Sequence, residues 1–543
     1  MSGWTVPPTR RELTLLLFCA TIFIIAFNAT TTLRLMGVDP SSLTSFSSSP
    51  VRLGLDGRRL EGYRDRLENE IFGEWEWEPG HIAGVKDAES TRLLHGKPHG
   101  HPDAYVRGEG RNGKQAMWLL GVGEGQYISG EGLGLTSVND GFVRWGEDVP
   151  RTELRQHTPG FTILDNVIML DGTFYVIVDD PTSMPAIETI ASPRVNEIDP
   201  PSHIDWQVFP ARTALSEFGS YGGRIHGVTF VSCDGPSTTD SHTLLSLMRL
   251  YSTLNMSSPQ SLSPPHRIIF PTISTFADLH PETADENIPR RRANIGVAPE
   301  TLKAAYPSLV GAQFAEDFVD FVNISMPVLL DRVVVSDRSA AQHVELPHGM
   351  PAWSPPFTAL RGSEDWFDPV RRRLAQYFFG EDDSAVTGTA GTHTVTYLSR
   401  QGGANGDRLL ASDHAKLLDV LKTLGKTGVK VYVLDESASW TVRMRAIAQS
   451  TIVLSVFGDH LADAMYMKRT PRSTLMEFFP PNGFNRDWET VVRSMGIRYF
   501  AWQGNQKYTD EDLPAFSQST TYDDFALDAQ AVVDAIRDEL NRA

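Results

Sequence analysis

Between His393 and Trp502 the chain alternates between short apolar runs and amphipathic stretches. HTVTYLSR (393–400), VKVYVLD (429–435), TIVLSVF (451–457), TLMEFF (474–479) and Ile497–Trp502 read as strands. His414–Leu424, Thr441–Gln449, Asp459–Met467 and Arg486–Met495 read as the helices between them. Apolar strands that each feed a crossover helix leave few options beyond a parallel, doubly wound sheet covered on both faces. Such sheets bind ligands beyond the carboxyl ends of their strands. Here that rule selects Arg400, Gly458, Asp459, His460 and Glu477. Helix starts at the same edge present unpaired N–H groups and a positive dipole end, which suits phosphate. The alternation therefore predicts an anion or nucleotide site within residues 400–480 without naming its chemistry.

Upstream the pattern loosens. Phe161–Leu170 and Thr173–Val178 are apolar runs joined by Asp171-Gly172, a hairpin signal. Asp240–Leu254 has helical spacing, with Asp240 or Ser241 as its cap. Arg267–Phe270 and Pro327–Val335 read as strands, and Glu300–Ala305, Phe314–Val322 and Val370–Phe379 as helices. These elements form an irregular α/β domain whose strand order stays open. Glycines crowd residues 121–134, but Gln126 stands where the dinucleotide fingerprint needs its last glycine, and no helical period follows. They read as hairpin turns. The arginine triplets at 290–292 and 371–373 read as a solvated loop and a solvated helix face, with phosphate contact as the alternative.

Residues 13–33 carry no charge over 21 positions, close to the ~20 needed to span a bilayer core. They read as an uncleaved signal-anchor, with Arg10 and Arg11 favouring a cytoplasmic N-terminus. A cleaved signal peptide is the competing reading. DPSSLTSFSSSP (39–50) is a linker by composition, and Arg52–Phe72 a charged stem helix. Asn255-Met-Ser257 and Asn323-Ile-Ser325 are glycosylation sequons that fit an exported body. The expected order is thus a cytoplasmic tail (1–12), a transmembrane helix (13–33), a stem (34–80), an N-terminal α/β lobe (81–385) and a C-terminal Rossmann-like lobe (386–543). The net charge of −18 argues against a nucleic-acid partner, because phosphate-backbone binding needs a basic face. Two cysteines, Cys19 and Cys233, cannot make a disulfide framework. His95, His99 and His101, and the acidic Asp510-Glu511-Asp512, read as solvated loops, so no metal is expected.

YLSRQG (397–402), Arg408 in GDRLL, SVFGDHLADAMYM (455–467) and STLMEFFPPNGF (473–484) together resemble glycosyltransferase family 61, its fungal branch in particular. TPGFTILDN (158–166) and RIIFPTI (267–273) add to the resemblance. It implies a GT-B-like fold of two Rossmann-like lobes behind a type II anchor, in the Golgi or ER membrane. It also implies an inverting transfer from a nucleotide sugar, UDP-linked xylose or N-acetylglucosamine in class, to a protein- or glycan-bound hydroxyl, without a metal. The family's Ser-Arg motif falls on Ser399 and Arg400 and its second arginine on Arg408, guanidinium groups suited to a diphosphate. Its strand-end glutamate falls on Glu477, suited to ribose hydroxyls, and Gly458, Asp459 and His460 complete the donor side. Two positions depart from the family. Phe457 replaces a histidine, with His460 three residues on as a replacement, a cap or a packing residue. Ser246 replaces an acid in the helix that keeps His242, which leaves His242 and Asp240 as candidates for the catalytic base. The alternative is a non-catalytic, membrane-anchored family member that binds nucleotide or glycan or regulates a partner transferase. The C-terminal helix, Asp528–Leu540, is expected to pack across the lobe junction.

Overall fold

The computed structural model describes residues 142–192, 206–235, 238–276, 293–309, 311–324, 326–343, 346, 350–380, 393–402, 408–435, 437–481, 483–485, 487–509, 512–514 and 524–542. All of them belong to one compact unit, Lys97–Ala543. The tail, anchor, stem, glycine-rich stretch 121–134, His95, His99 and His101, Arg290–Arg292, Asp510 and Glu511 lie outside the described residues. Among the described residues no helix is long and apolar enough to cross a membrane.

The first lobe is built on β1 (Phe142–Arg144), β2 (Glu153–Thr158), β3 (Phe161–Leu170), β4 (Thr173–Val178), β5 (Trp206–Pro210), β6 (Tyr221–Ser232), β7 (Arg267–Ile269), β8 (Gly311–Gln313) and β9 (Val328–Ser336). Their order is β5-β4-β3-β9-β6-β7-β8, with β1 on β6 and β2 on β3. β9, β6, β7 and β8 run parallel, whereas β3 is antiparallel to both β9 and β4. The sheet is therefore mixed, and only its β9-β6-β7-β8 half has the Rossmann-like arrangement the resemblance implied. The Asp171-Gly172 hairpin forms as expected: both residues have positive φ, 50° and 82°, which a primed two-residue turn requires.

The second lobe is built on β10 (Thr394–Ser399), β11 (Lys430–Asp435), β12 (Ile452–Val456), β13 (Thr474–Phe479), β14 (Arg498–Gln503) and β15 (Gln506–Tyr508). Their order is β11-β10-β12-β13-β14-β15, parallel as far as β14. β15, antiparallel to β14, has no apolar run in Gln506–Tyr508 to announce it. The segment Asp459–Tyr466, expected as an α-helix, is a 3-10 helix. Its buried Leu461 and Ala464, with Met467 just beyond, recur every three residues, the 3-10 period.

Two further expectations fail on packing. The Ala529–Asn541 helix does not cross the junction. Its stripe Val532, Val533, Ile536 and Leu540 meets Leu417, Leu421 and Leu424 of the Ala411–Gly425 helix over one face of its own sheet. Glu539, on the same helix, is ion-paired with Arg498 of β14. Nor is the 371–373 triplet a solvated face throughout. Arg371 is buried, donates to Asp368 and to the Met465 carbonyl, and lies over the Phe367 ring. The other face of the second sheet, with Leu398, Val453, Leu475 and Ala501, joins Phe230, Leu244, Leu247 and Val334 of the first lobe in one core. The two sheets are thus welded by a shared apolar layer.

Candidate functional site

In the second lobe the strand order reverses between β10 and β12: the chain runs from β10 outward to β11, then back across to β12. The loops leaving these neighbouring strands carry Arg400 and Gly458. The first lobe has its own reversal between β6 and β9, because the chain leaves β6 towards β7 and β8 and returns on the other side. The loops there carry Asp234 and the Asp337-Arg338 pair. Such reversals open the crevices in which α/β sheets bind ligands.

At the second-lobe reversal the Arg400 guanidinium donates from Nη1 to the Phe457 carbonyl at 3.1 Å. It passes so close to Gly458 that a Cβ there would lie 2.9 Å from Nη1 and 3.2 Å from His460 Nδ1. Gly458 has φ 139°, a conformation side chains avoid, so glycine serves here both for backbone shape and for close approach. The His460 Nε2 lies 2.7 Å from Ser455 Oγ. Burial, then the charges of Arg400 and Arg443, push the His460 imidazole down to about 3. Asp459, at the head of the 3-10 turn, is exposed.

The first-lobe reversal is a closed polar network. Asp240 caps the Ser241–Ser252 helix by accepting from the His242 amide at 2.8 Å. Its carboxylate also accepts two bonds from Arg338, at 2.9 and 2.6 Å. Burial alone would raise the Asp240 carboxyl, but the bonds from Arg338 and His242 outweigh it and hold the group below the usual range. Asp234 accepts from the Arg338 amide at 2.9 Å and is pushed up by burial to about 6, against the pull of Arg338.

His242 connects the two reversals. Its ring is sandwiched between Trp353 and Trp488, with centroids 3.9 and 4.2 Å away. Nδ1 faces Asp240 Oδ1 at 3.3 Å and Nε2 faces the Asp487 carbonyl at 3.1 Å. Trp488 in turn donates from Nε1 to the Gly458 carbonyl at 3.1 Å. A continuous path therefore runs from Arg338 through Asp240, His242 and Trp488 to Gly458 and Arg400.

The remaining sequence-derived candidates sit elsewhere. Ser399 turns to the opposite sheet face, 3.2 Å from His414 Nε2 of the Ala411–Gly425 helix. Arg408 pairs with Asp524 at 3.3 Å, in the segment where Leu409 bridges Phe525. Glu477 is fully buried rather than presented at a strand end, and accepts from the Tyr499 hydroxyl at 2.7 Å. Burial pushes its carboxyl up to about 8 despite that bond. Asn255 is half-buried in a turn, its amide donating to Ser261 and accepting from the Ser258 amide at 3.2 Å. Asn323 lies in the Ala315–Ile324 helix. Among the described residues no group of three His, Cys, Asp or Glu side chains could hold a metal ion.

The residues missed were Asp234, Arg338, Trp353, Asp487 and Trp488. Asp234 and Arg338 follow the carboxyl ends of β6 and β9, so the rule that selected Arg400 would have found them had the order of the first sheet been known. The two tryptophans carry no local signal, because their role depends on the ring between them.

No family model matches the chain, and no curated protein matches it. Among solved structures it is similar to the glycosyl transferase family 9 protein from Veillonella parvula, at 10% identity and a TM-score of 0.26. The match covers 59% of this chain and 98% of that one. At that TM-score the likeness carries no argument about this chain.

Proposed function

We propose that the chain is a glycosyltransferase of the GT-B kind that binds a nucleotide-diphosphate sugar at the β10–β12 reversal and transfers the sugar to a hydroxyl. One observation carries this reading: a guanidinium, Arg400, lies against a backbone stripped to glycine, Gly458, at the carboxyl edge where the strand order reverses. A cation beside a close-approach glycine suits a diphosphate, and the same charge stabilises the diphosphate as it leaves. The resemblance over 395–505 supports the finer reading: family 61, an inverting transfer, a UDP-linked xylose or N-acetylglucosamine donor, and a protein- or glycan-bound acceptor. On it Asp459 and His460 join Arg400 and Gly458 on the donor side, Ser399, Arg408 and Glu477 being engaged by His414, Asp524 and Tyr499 instead, and no metal takes part. The apolar segment 13–33 and the sequons at Asn255 and Asn323 support a lumenal body anchored in the Golgi or ER membrane.

A second reading, nucleotide or glycan binding without turnover, is favoured by the state of the base candidates. Both ring nitrogens of His242 face oxygens that only accept, and Asp240 is committed to Arg338. An inverting transfer needs a group free to take the acceptor's proton. Incubating the full-length chain with UDP-xylose and with UDP-N-acetylglucosamine, each with a hydroxyl acceptor or water, separates the two. Released UDP supports the transferase. Thermal stabilisation by UDP without release from any donor supports the binder, and neither effect would remove both.

A further inference from the structure

The orientation of the His460 ring is fixed by its neighbour. Ser455 Oγ donates to the Leu398 carbonyl at 2.6 Å and also lies 2.7 Å from His460 Nε2. A hydroxyl has one proton, and a carbonyl oxygen can only accept. The Ser455 proton is therefore spent on Leu398, and His460 must donate Nε2–H to Ser455. In the neutral ring this leaves Nδ1 as a bare lone pair. Nδ1 has no hydrogen-bond partner among the described residues, and it and Arg400 Nη1 both border the space a Gly458 Cβ would fill, 3.2 and 2.9 Å from that position.

The charges around the ring keep it neutral. Arg400 approaches from the end of β10 and Arg443 from the Trp440–Ala448 helix. Of the two carboxylates on its own helix, Asp459 is exposed and Asp463 is paired with Arg443. Glu477, strand partner of Ser455, is engaged by Tyr499. Burial adds to the two arginines in disfavouring the imidazolium. Such a nitrogen repels a phosphate oxygen, since both are acceptors, and it is too weak a base to carry a proton away.

We propose that His460 recognises a hydroxyl of the bound donor through Nδ1, while Arg400, beside the same glycine, Gly458, holds an anionic oxygen of the same molecule. This rests on the reading that the second lobe binds a nucleotide sugar, and it adds the chemistry by which the site tells a sugar nucleotide from a bare diphosphate. The matching ligand carries an O–H a few bonds from a phosphate oxygen. Two parts of a sugar nucleotide do so: the ribose, and the transferred sugar next to its anomeric phosphate. His460 is thus a recognition residue whose tautomer is set by Ser455 and whose neutral form is held by burial and the two arginines.

The test is calorimetric titration of the full chain and its variants with UDP, UDP-N-acetylglucosamine and inorganic pyrophosphate. His460→Ala should weaken sugar-nucleotide binding about tenfold, the size of one hydrogen bond. His460→Asn, whose amide oxygen can stand near the Nδ1 position, should restore most of it, whereas His460→Gln should not. Pyrophosphate binding should be unchanged in all three. A loss shared by UDP and the sugar nucleotide assigns the hydroxyl to the ribose, and a loss confined to the sugar nucleotide assigns it to the sugar. Equal affinities for wild type and His460→Ala, or rescue by Gln rather than Asn, would overturn the proposal. Wild type that binds no UDP, sugar nucleotide or pyrophosphate would overturn the nucleotide reading and His460's role with it. Imidazole nitrogen resonances of histidine-labelled protein give a ligand-free check. A proton on Nε2 and none on Nδ1 is expected from pH 5 to 8 (roughly the range over which an ordinary histidine titrates), and a protonated Nδ1 contradicts the assignment.

Discussion

Glu477 is the residue whose surroundings most change what its sequence position suggested. A strand-end carboxylate should be wet, yet Glu477 is sealed against Tyr499 and raised to about 8 by burial. Its folded-state pKa exceeds its ordinary value of 4.5, so between those two values the folded protein holds a proton that the unfolded chain releases. Stability from this group is therefore full at low pH and is lost as pH rises through the window from 4.5 to about 8. Glu477→Gln removes the titration. Relative to wild type, its stability should rise from pH 5 to about pH 8, by at most ~1.4 kcal/mol per pH unit, and level off above that, with its melting temperature following the same course. A difference that stays flat across that range would place the carboxyl elsewhere. Arg400, Gly458 and His460 were legible in the sequence because strand ends in a parallel sheet are found from apolar periodicity alone. The fate of Glu477 was not, because it depends on which sheet face the first lobe covers. The capture of Asp240 by Arg338 was hidden for a related reason: 98 residues separate them, and only the return of β9 beside β6 brings them together.

At the scale of elements, β-α alternation predicted five strands of the second sheet and most of their helices, since each strand carries its own apolar run. The first sheet was legible only as separate strands. Its mixed order arises from β3 lying antiparallel on β9, a pairing between segments more than 150 residues apart that leaves no local trace. The C-terminal helix shows the same limit, since its apolar stripe was visible but its partner was not. Ile536 is buried between that helix and its sheet, whereas Val442 is exposed on the Trp440–Ala448 helix. Ile536→Ala should cost about 2–5 kcal/mol, and Val442→Ala within ±0.5 kcal/mol, measured by urea denaturation. Comparable losses at the two positions would contradict this packing of the helix.

At the scale of the whole molecule, the two lobes do not meet through a wet hinge. Leu244, Leu247 and Trp353 of the first lobe share a core with Val453, Leu475 and Trp488 of the second. Polar bonds reinforce it: Tyr306 to Tyr466, Trp440 Nε1 to Thr301, and Trp366 Nε1 to the Ser494 carbonyl. A shared core couples the unfolding of its halves, so scanning calorimetry should show one cooperative transition for the body. Two resolved transitions would mean that the lobes fold independently. The same closure frames the candidate site, because the two strand-order reversals are linked through the ring of His242.

The most direct measurement is a titration of UDP into the wild-type chain and into Arg400→Ala, both confirmed folded by circular dichroism. Wild type should bind UDP, and the variant should bind it more weakly by about 1.5–3 kcal/mol, the value of a hydrogen bond from a charged group. Equal affinity in the two proteins, or no affinity in wild type, would contradict a diphosphate site at the reversal between β10 and β12.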